Sequence, residues 1–204
     1  DAYGMYVTYG ADVNIEGNTT INVVGEKNSY AIKVDGVDNY YGEEGVNPPS
    51  VTLGGQENHI TGDVVASNES AVSFENGSTT LNGNAKFDES SLMALDSASV
   101  DLAEGNTIAV AGELTSNNGQ IILNEAAEGI VSIGSLTDGS SLEAVASSTL
   151  NDKLNGDITT FSQAFSIDQG AEAVSVLMKE GMVAGETTGQ LTEDGTIDQG
   201  SAVS

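Results

Sequence analysis

The sequence predicts an all-β fold, a right-handed parallel β-helix that ends in a capping region containing a short helix and strands. Three observations carry that reading. Leu81, Leu102 and Leu123 are 21 residues apart, and Phe87 with Ile108 and Met93 with Leu114 share the step. Within a period the apolar anchors lie six residues apart, at Leu81, Phe87 and Met93 and then at Leu102, Ile108 and Leu114. Gly, Asn, Ser, Thr and Asp fill the intervals. A repeat of about 20–25 residues that cannot bury its own apolar face has to stack on its neighbours. About six coils fit residues 1–134, and at ~4.8 Å per coil the rod is about 30 Å long. The crossover rule favours a right-handed coil. A left-handed hexapeptide helix also has six-residue intervals, but its period is shorter than the one here.

Taken in order, Tyr3–Tyr9 reads as an edge strand or terminal rung. Ala11–Gly17 alternates, with Val13 and Ile15 on one face and Asp12, Asn14 and Glu16 on the other, the period of a half-buried strand. Residues 20–25 and 30–36 follow the same rule, and these three short strands are expected to form a first coil. Residues 37–50 hold both prolines, two tyrosines and two glutamates. Proline cannot donate into a ladder, so this stretch is expected as a loop insertion thrown out of the coil. The ladder resumes at 51–53, 59–66 and 71–74, with Leu53, Ile60 and Val72 expected as the anchors of the second coil. The step from Leu53 to Leu81 is 28, which requires an insertion between Gly54 and Asn68. Two regular coils run from Thr79 to Gly119, and another opens at Gln120 and continues through Ile130–Ile133.

Beyond residue 134 the pattern changes, and residues 135–204 are expected to form the cap. Ser140–Leu154 places Leu142, Val145, Leu150 and Leu154 at near-helical spacing, with Glu143 three residues after Ser140 and Gly156 beyond the end. Those are helix start and stop signals. A further helical stretch is expected around Phe161–Phe165. Val174–Lys179 and Met182–Ile197 read as strands, with Glu193-Asp194-Gly195 as a hairpin turn. A cap of this kind covers a sheet edge that otherwise templates aggregation.

Composition limits the function. Five lysines and no arginine stand against 31 acidic residues, a formal charge of −26, so the chain has no means of displacing counterions from a nucleic-acid backbone. Anionic membrane surfaces are disfavoured for the same reason. Acidic chains poor in aromatics are often disordered, but a solvated tail has no reason to hold Val, Ile and Leu at a fixed step. Cysteine is absent, which removes disulfides and thiolate metal sites. No run of eighteen apolar residues occurs, so no transmembrane helix and no membrane contact are expected of this stretch.

Candidate chemistry is sparse. His59, the single histidine, lies in NHITGDV without a GxSxG motif to supply a nucleophile and reads as an exposed strand residue. Asp63, Asp88 and Glu89 are the candidates for an acid–base pair of glycoside chemistry on one face, but a solvated acidic face is the expectation and no catalytic residue is assigned. The Ca²⁺ repeat of β-rolls and the EF-hand loop are both missing, so no cofactor or metal site is expected. Asn18, Asn68 and Asn76 open glycosylation triplets of a kind that Asn- and Thr-rich turns produce by chance. Tyr40 and Tyr41, in the proline-containing loop, are the candidate contact residues for a ligand or partner, because exposed aromatics dominate interfaces; the alternative is that their rings cover the coil.

The stretches GNTTINVVG, STTLNGNAKF and NNGQIILNE resemble the passenger regions of bacterial autotransporters (type V secretion) and related surface adhesins. The similarity covers roughly residues 1–134. It implies a cysteine-poor, acidic β-helix that folds outside the cell, a downstream outer-membrane barrel in the full-length chain, and a C-terminal capping region, whose place residues 140–198 occupy. The resemblance also implies an extracellular or cell-surface location and a non-enzymatic role in adhesion or self-association, with a glycan or protein of a host or neighbouring cell as partner. The alternative is a carbohydrate-active β-helix, a polysaccharide lyase or hydrolase working through paired carboxylates on adjacent coils.

Overall fold

A computed structural model describes residues 1–25, 27–36, 47–179, 186–191 and 197–198. The chain winds into a three-faced parallel β-solenoid of six complete windings and a partial seventh. The first winding is β1 (Ala2–Thr8), β2 (Asp12–Ile15) and β3 (Thr20–Asn22); the second is β4 (Ser29–Asp35), β5 (Ser50–Leu53) and β6 (Glu57–Thr61). The third is β7 (Asp63–Ser67), β8 (Ala71–Glu75) and β9 (Ser78–Asn82), and the fourth is β10 (Ala85–Phe87), β11 (Leu92–Asp96) and β12 (Ser99–Leu102). In the fifth, β13 (Ile108–Asn117) spans two faces and β14 (Gly119–Leu123) forms the third. The sixth repeats this with β15 (Val131–Leu136) and β16 (Leu142–Ala146). Helices α1 (Ser148–Leu154) and α2 (Ile158–Ser162) then leave the coil, and β17 (Phe165–Ile167) and β18 (Val174–Lys179) rejoin it. After β18 the pairing turns antiparallel, through β19 (Glu186–Leu191) and β20 (Ile197–Asp198).

We denote as face A the sheet that starts at β1, as face B the one that starts at β2 and as face C the one that starts at β3. Every pairing between windings is parallel and sets inward residues over inward residues. On face C one column runs Ile21, Ile60, Leu81, Leu102, Leu123, Ala146 and Met178. From Ile60 onward its members are essentially inaccessible to water. A second column on this face carries Asn58 and Thr79 below Val100 and Ile121. The buried Asn58 is satisfied there: its Oδ1 accepts from the Thr19 N–H at 3.1 Å, and its Nδ2 donates to the Gly55 carbonyl at 3.0 Å and to Thr79 Oγ1 at 3.4 Å. Face B contributes Val51, Val72, Met93 and Leu114 in register, and face A contributes Val34, Ala66, Phe87 and Val110. The three sets of inward side chains fill one continuous core.

The six-residue spacing therefore marks successive faces: Leu81 lies on face C, Phe87 on face A and Met93 on face B. Several sequence expectations change once the pairings are known. Phe87 stacks on Val110, and Ile108 stacks on Ala85, so the 21-residue match of Phe87 with Ile108 crosses columns; the turn at 103–107 makes this step of face A longer. Leu53 stacks on Phe74, and Ile60 stacks on Leu81. Both steps are 21, and no insertion lies between Gly54 and Asn68. The long step falls earlier, between Asp35, where β4 ends, and Ser50, where β5 begins.

The stretch 59–66 is two strands on different faces, and Gly62 turns the corner between them with φ +113°, a region open to glycine and strained for L side chains. One winding on, a Cβ on Gly83 would lie 2.1 Å from the Gly62 carbonyl oxygen. The corner is thus a stack of glycines with no room for side chains. Winding boundaries also move, since residues 29–35 open the second coil and β1 is the face A strand of the first.

The helix expected over 140–154 is shorter. Residues 142–146 form β16, paired residue for residue with β14, because a waiting parallel edge overrides a weak helical spacing. Helix α1 starts after Ser147, whose Oγ accepts from the Leu150 N–H, and ends at Asn155 in the left-handed conformation. Helix α2 is capped by Asp157 and ends at Ser162, so Phe165 belongs to a strand. The hairpin residues Glu193-Asp194-Gly195 lie outside the described residues.

Because Leu102 is packed between Leu81 and Leu123 with nowhere to relax, Leu102→Ala should destabilise the protein by about 2–5 kcal/mol, measured by urea denaturation. Thr80→Ala, on the outward side of the neighbouring strand of face C, should stay within about 0.5 kcal/mol.

Candidate functional site

Tyr40 and Tyr41 lie outside the described residues. The aromatic feature that is described is a different one, on the outer surface of face A. Strands β1 and β4 each carry an extra residue near their start. The register of β4 against β7 skips Ala31, which is fully buried. Such a bulge turns two consecutive residues inward, so Tyr3 and Tyr6, three positions apart, both face outward.

The rings form a cluster. Tyr3 stacks on Tyr30, its partner one winding on, with centroids 5.3 Å apart, and on Tyr6 at 5.5 Å. Tyr3 is 44% and Tyr6 50% exposed. Lys33, paired with Tyr6, holds its Nζ 5.4–6.0 Å from all three centroids, within range of cation–π attraction.

From Tyr30 a groove of about 630 Å³ runs along the solenoid axis to Ala109. Its floor is the outward row Val65, Lys86 and Ala109, which continues Lys33. Hydrogen-bonded turns form a rail on each side. On one, Asp63 Oδ1 accepts from the Asn84 N–H at 2.9 Å, and Asn84 Oδ1 accepts from the Thr107 N–H at 3.0 Å. On the other, Asp35 Oδ1 accepts from Asn68 Nδ2 at 2.7 Å, and Asp88 Oδ2 accepts from the Asn68 N–H at 2.7 Å. Asp88 Oδ1 further accepts from Ser91 Oγ at 2.7 Å and from the N–H and Oγ of Ser90.

Of the three candidate carboxylates, the structure brings Asp63 and Asp88 to one groove and sends Glu89 to another. Glu89 lines a depression at the next corner, with Glu113 and Asp168. Within the groove Asp63 and Asp88 occupy opposite rails. Asp63 is level with Asn84, four residues before Asp88, so the two backbones are about 13 Å apart along the strand direction. Both side chains are tied to their own turns. Burial pushes the Asp88 carboxyl up, but the hydrogen bonds from Ser91, Asn68 and Ser90 outweigh it and hold the pKa below the ordinary value of 3.8. That is the direction opposite to the one a general acid needs.

His59 is exposed on the outer side of face C, with Nε2 3.2 Å from Glu57 Oε1. Among the described residues, no group of three or more His, Cys, Asp or Glu is arranged to hold a metal ion, and no helix is long and apolar enough to cross a membrane. The fold and its outward rows define a β-solenoid scaffold with a grooved, aromatic-tipped face. Comparison with protein-family models, with curated proteins and with solved structures gives no match.

The sign of a pH effect follows from Asp88. A carboxyl with a lowered folded pKa binds fewer protons folded than unfolded, so its stabilisation is present above the unfolded value and is lost as pH falls through the folded one. Thermal melts should show stability declining below about pH 4, and Asp88→Asn should remove part of that decline.

Proposed function

We propose that this chain is a non-enzymatic extracellular rod of the bacterial autotransporter passenger kind, presenting its outer faces for adhesion or self-association. The observation that carries the reading is the continuous outward surface of a single stacked core, with exposed tyrosines gathered at one end of a groove. A parallel solenoid makes a long surface from a short repeat, and each winding adds one residue to every outward row. The acidic charge keeps such a rod soluble. Its lack of disulfides suits a chain exported unfolded, and a cell-surface or secreted location fits that route. Membrane attachment would come from a barrel elsewhere in the full-length protein.

The carbohydrate-active alternative rests on the groove, which contains carboxylates. Retaining and inverting pairs need separations of about 5–5.5 Å or 6.5–9.5 Å. Asp63 and Asp88 stand on opposite rails, each tied to its own turn and separated by about 13 Å of backbone along the strand direction, which favours the scaffold reading.

Beads or non-adherent cells displaying residues 1–204 should attach to surfaces or to one another, measured as retention under flow and as sedimentation of clumps. Retention and clumping no greater than with undecorated controls would remove the adhesive role.

A further inference from the structure

We infer that the face A groove from Tyr30 to Ala109 is a binding site for a neutral oligosaccharide that lies along the solenoid axis and takes Tyr30 as its terminal stacking platform. The inference rests on the adhesive reading above and names the ligand class for it. The shape is the first argument. Tyr30 stands in the second winding and Ala109 in the fifth, so the groove extends about 14 Å, the reach of a short linear glycan. The groove has a length and a direction, open at the top and bounded along both sides, whereas a compact ligand would need an enclosed pocket.

Chemistry is the second argument. A pyranose ring presents axial C–H groups on its faces and hydroxyls around its rim. Val65 and Ala109 give the floor apolar spots for a C–H face, and the Tyr30 ring offers a larger one at the end, held in place by Tyr3 and by the Lys33 amine. The rails supply what the rim requires: carboxylate oxygens on Asp63 and Asp88 to accept from hydroxyls, and the exposed Lys86 amine on the floor to donate to them. Each winding sets one floor residue and one rail residue about 4.8 Å further along the axis, so the contacts are spread along the length of a linear ligand. No bond is made or broken in this role.

Charge is the third argument, and it selects among glycans. Two of the five lysines of the chain, Lys33 and Lys86, lie in one outward row. The carboxylates of Asp35, Asp63 and Asp88 outnumber them on the rails, and the whole chain carries −26. A uronate or sulfated glycan would bring its negative charges between two acidic rails, with one amine already committed to the tyrosine rings. A neutral glycan meets no such repulsion, and its hydroxyls donate to the same carboxylates.

The test uses the 204-residue chain and measures binding by isothermal titration and affinity electrophoresis. The neutral probes are cellohexaose, mannohexaose and laminarihexaose; the acidic probes are hexagalacturonate and a heparin hexasaccharide. At least one neutral hexaose should bind more tightly than both acidic probes. Tyr30→Ala and Ala109→Glu, which respectively remove the platform and obstruct the floor, should each weaken that binding at least tenfold, while thermal melts near the wild-type value show that the fold is intact. Ala109→Glu takes no side chain out of the tyrosine cluster, so it stays informative should Tyr30→Ala disturb the first windings. A preference for the acidic probes, or neutral binding unchanged by Ala109→Glu, overturns the inference. So does attachment of decorated beads to surfaces with none of the neutral hexaoses bound, and in that case the adhesive reading stands without this ligand.

Discussion

Each strand of this protein is hydrogen-bonded to its counterpart one winding later, and every other feature depends on that register. In a parallel ladder a slip of one residue would turn the whole inward set toward solvent. Here the cost would recur on every face, because Val72, Met93 and Leu114 on face B and Leu81, Leu102 and Leu123 on face C fill the same narrow core. The constraint extends to the corners. Glycine stacks on glycine at residues 62 and 83, where a side chain would collide with the carbonyl of the winding below. Polar side chains at the turns accept backbone N–H groups that strand pairing leaves free, as Asp63 does for Asn84 and Asn84 for Thr107.

The same register writes the outer surface. Residues that point outward also stack, so a substitution at one position of the repeat becomes part of a row. Face A shows the result: hydrogen-bonded turns become parallel rails, and the row between them becomes a floor. The bulge shared by β1 and β4 adds a departure from the pattern, bringing Tyr3, Tyr6 and Tyr30 together around Lys33. A local irregularity in a regular lattice is a natural place for a distinctive surface to arise.

The solenoid was legible because it rests on apolar residues at a constant step, and a constant step survives without knowing where any one winding begins. Assigning residues to faces was harder. Leu53 invited comparison with Leu81 because both are leucines, yet its partners are Phe74 and Ile15, and only the pairing reveals that the 21-residue step holds there. Phe87 and Ile108 misled for the converse reason, since an equal interval fell across a longer turn. Residues 142–146 carried a helical spacing that lost to the edge of β14, a tertiary effect that local pattern does not contain. The aromatic cluster also had a signal in the sequence: Tyr3 and Tyr30 stand one winding apart, each followed two positions later by an apolar residue, Met5 packed against the core and Ile32 within it. Tyr40 and Tyr41 of the proline-containing loop lie outside the described residues, so the cluster stands beside that expectation and not in its place.

Distances between labels on successive windings test the central claim most directly, and the absence of cysteine makes site-specific labelling clean. Thr20 lies on an outward row of face C that passes through Asp101, Ile122 and Leu177, three, four and six windings on. Spin labels at Thr20→Cys paired in turn with Asp101→Cys, Ile122→Cys and Leu177→Cys should give dipolar separations near about 14, 19 and 29 Å, a steady increment of ~4.8 Å per winding. Separations that do not grow in proportion to the number of windings would contradict the stacked register and the account built on it.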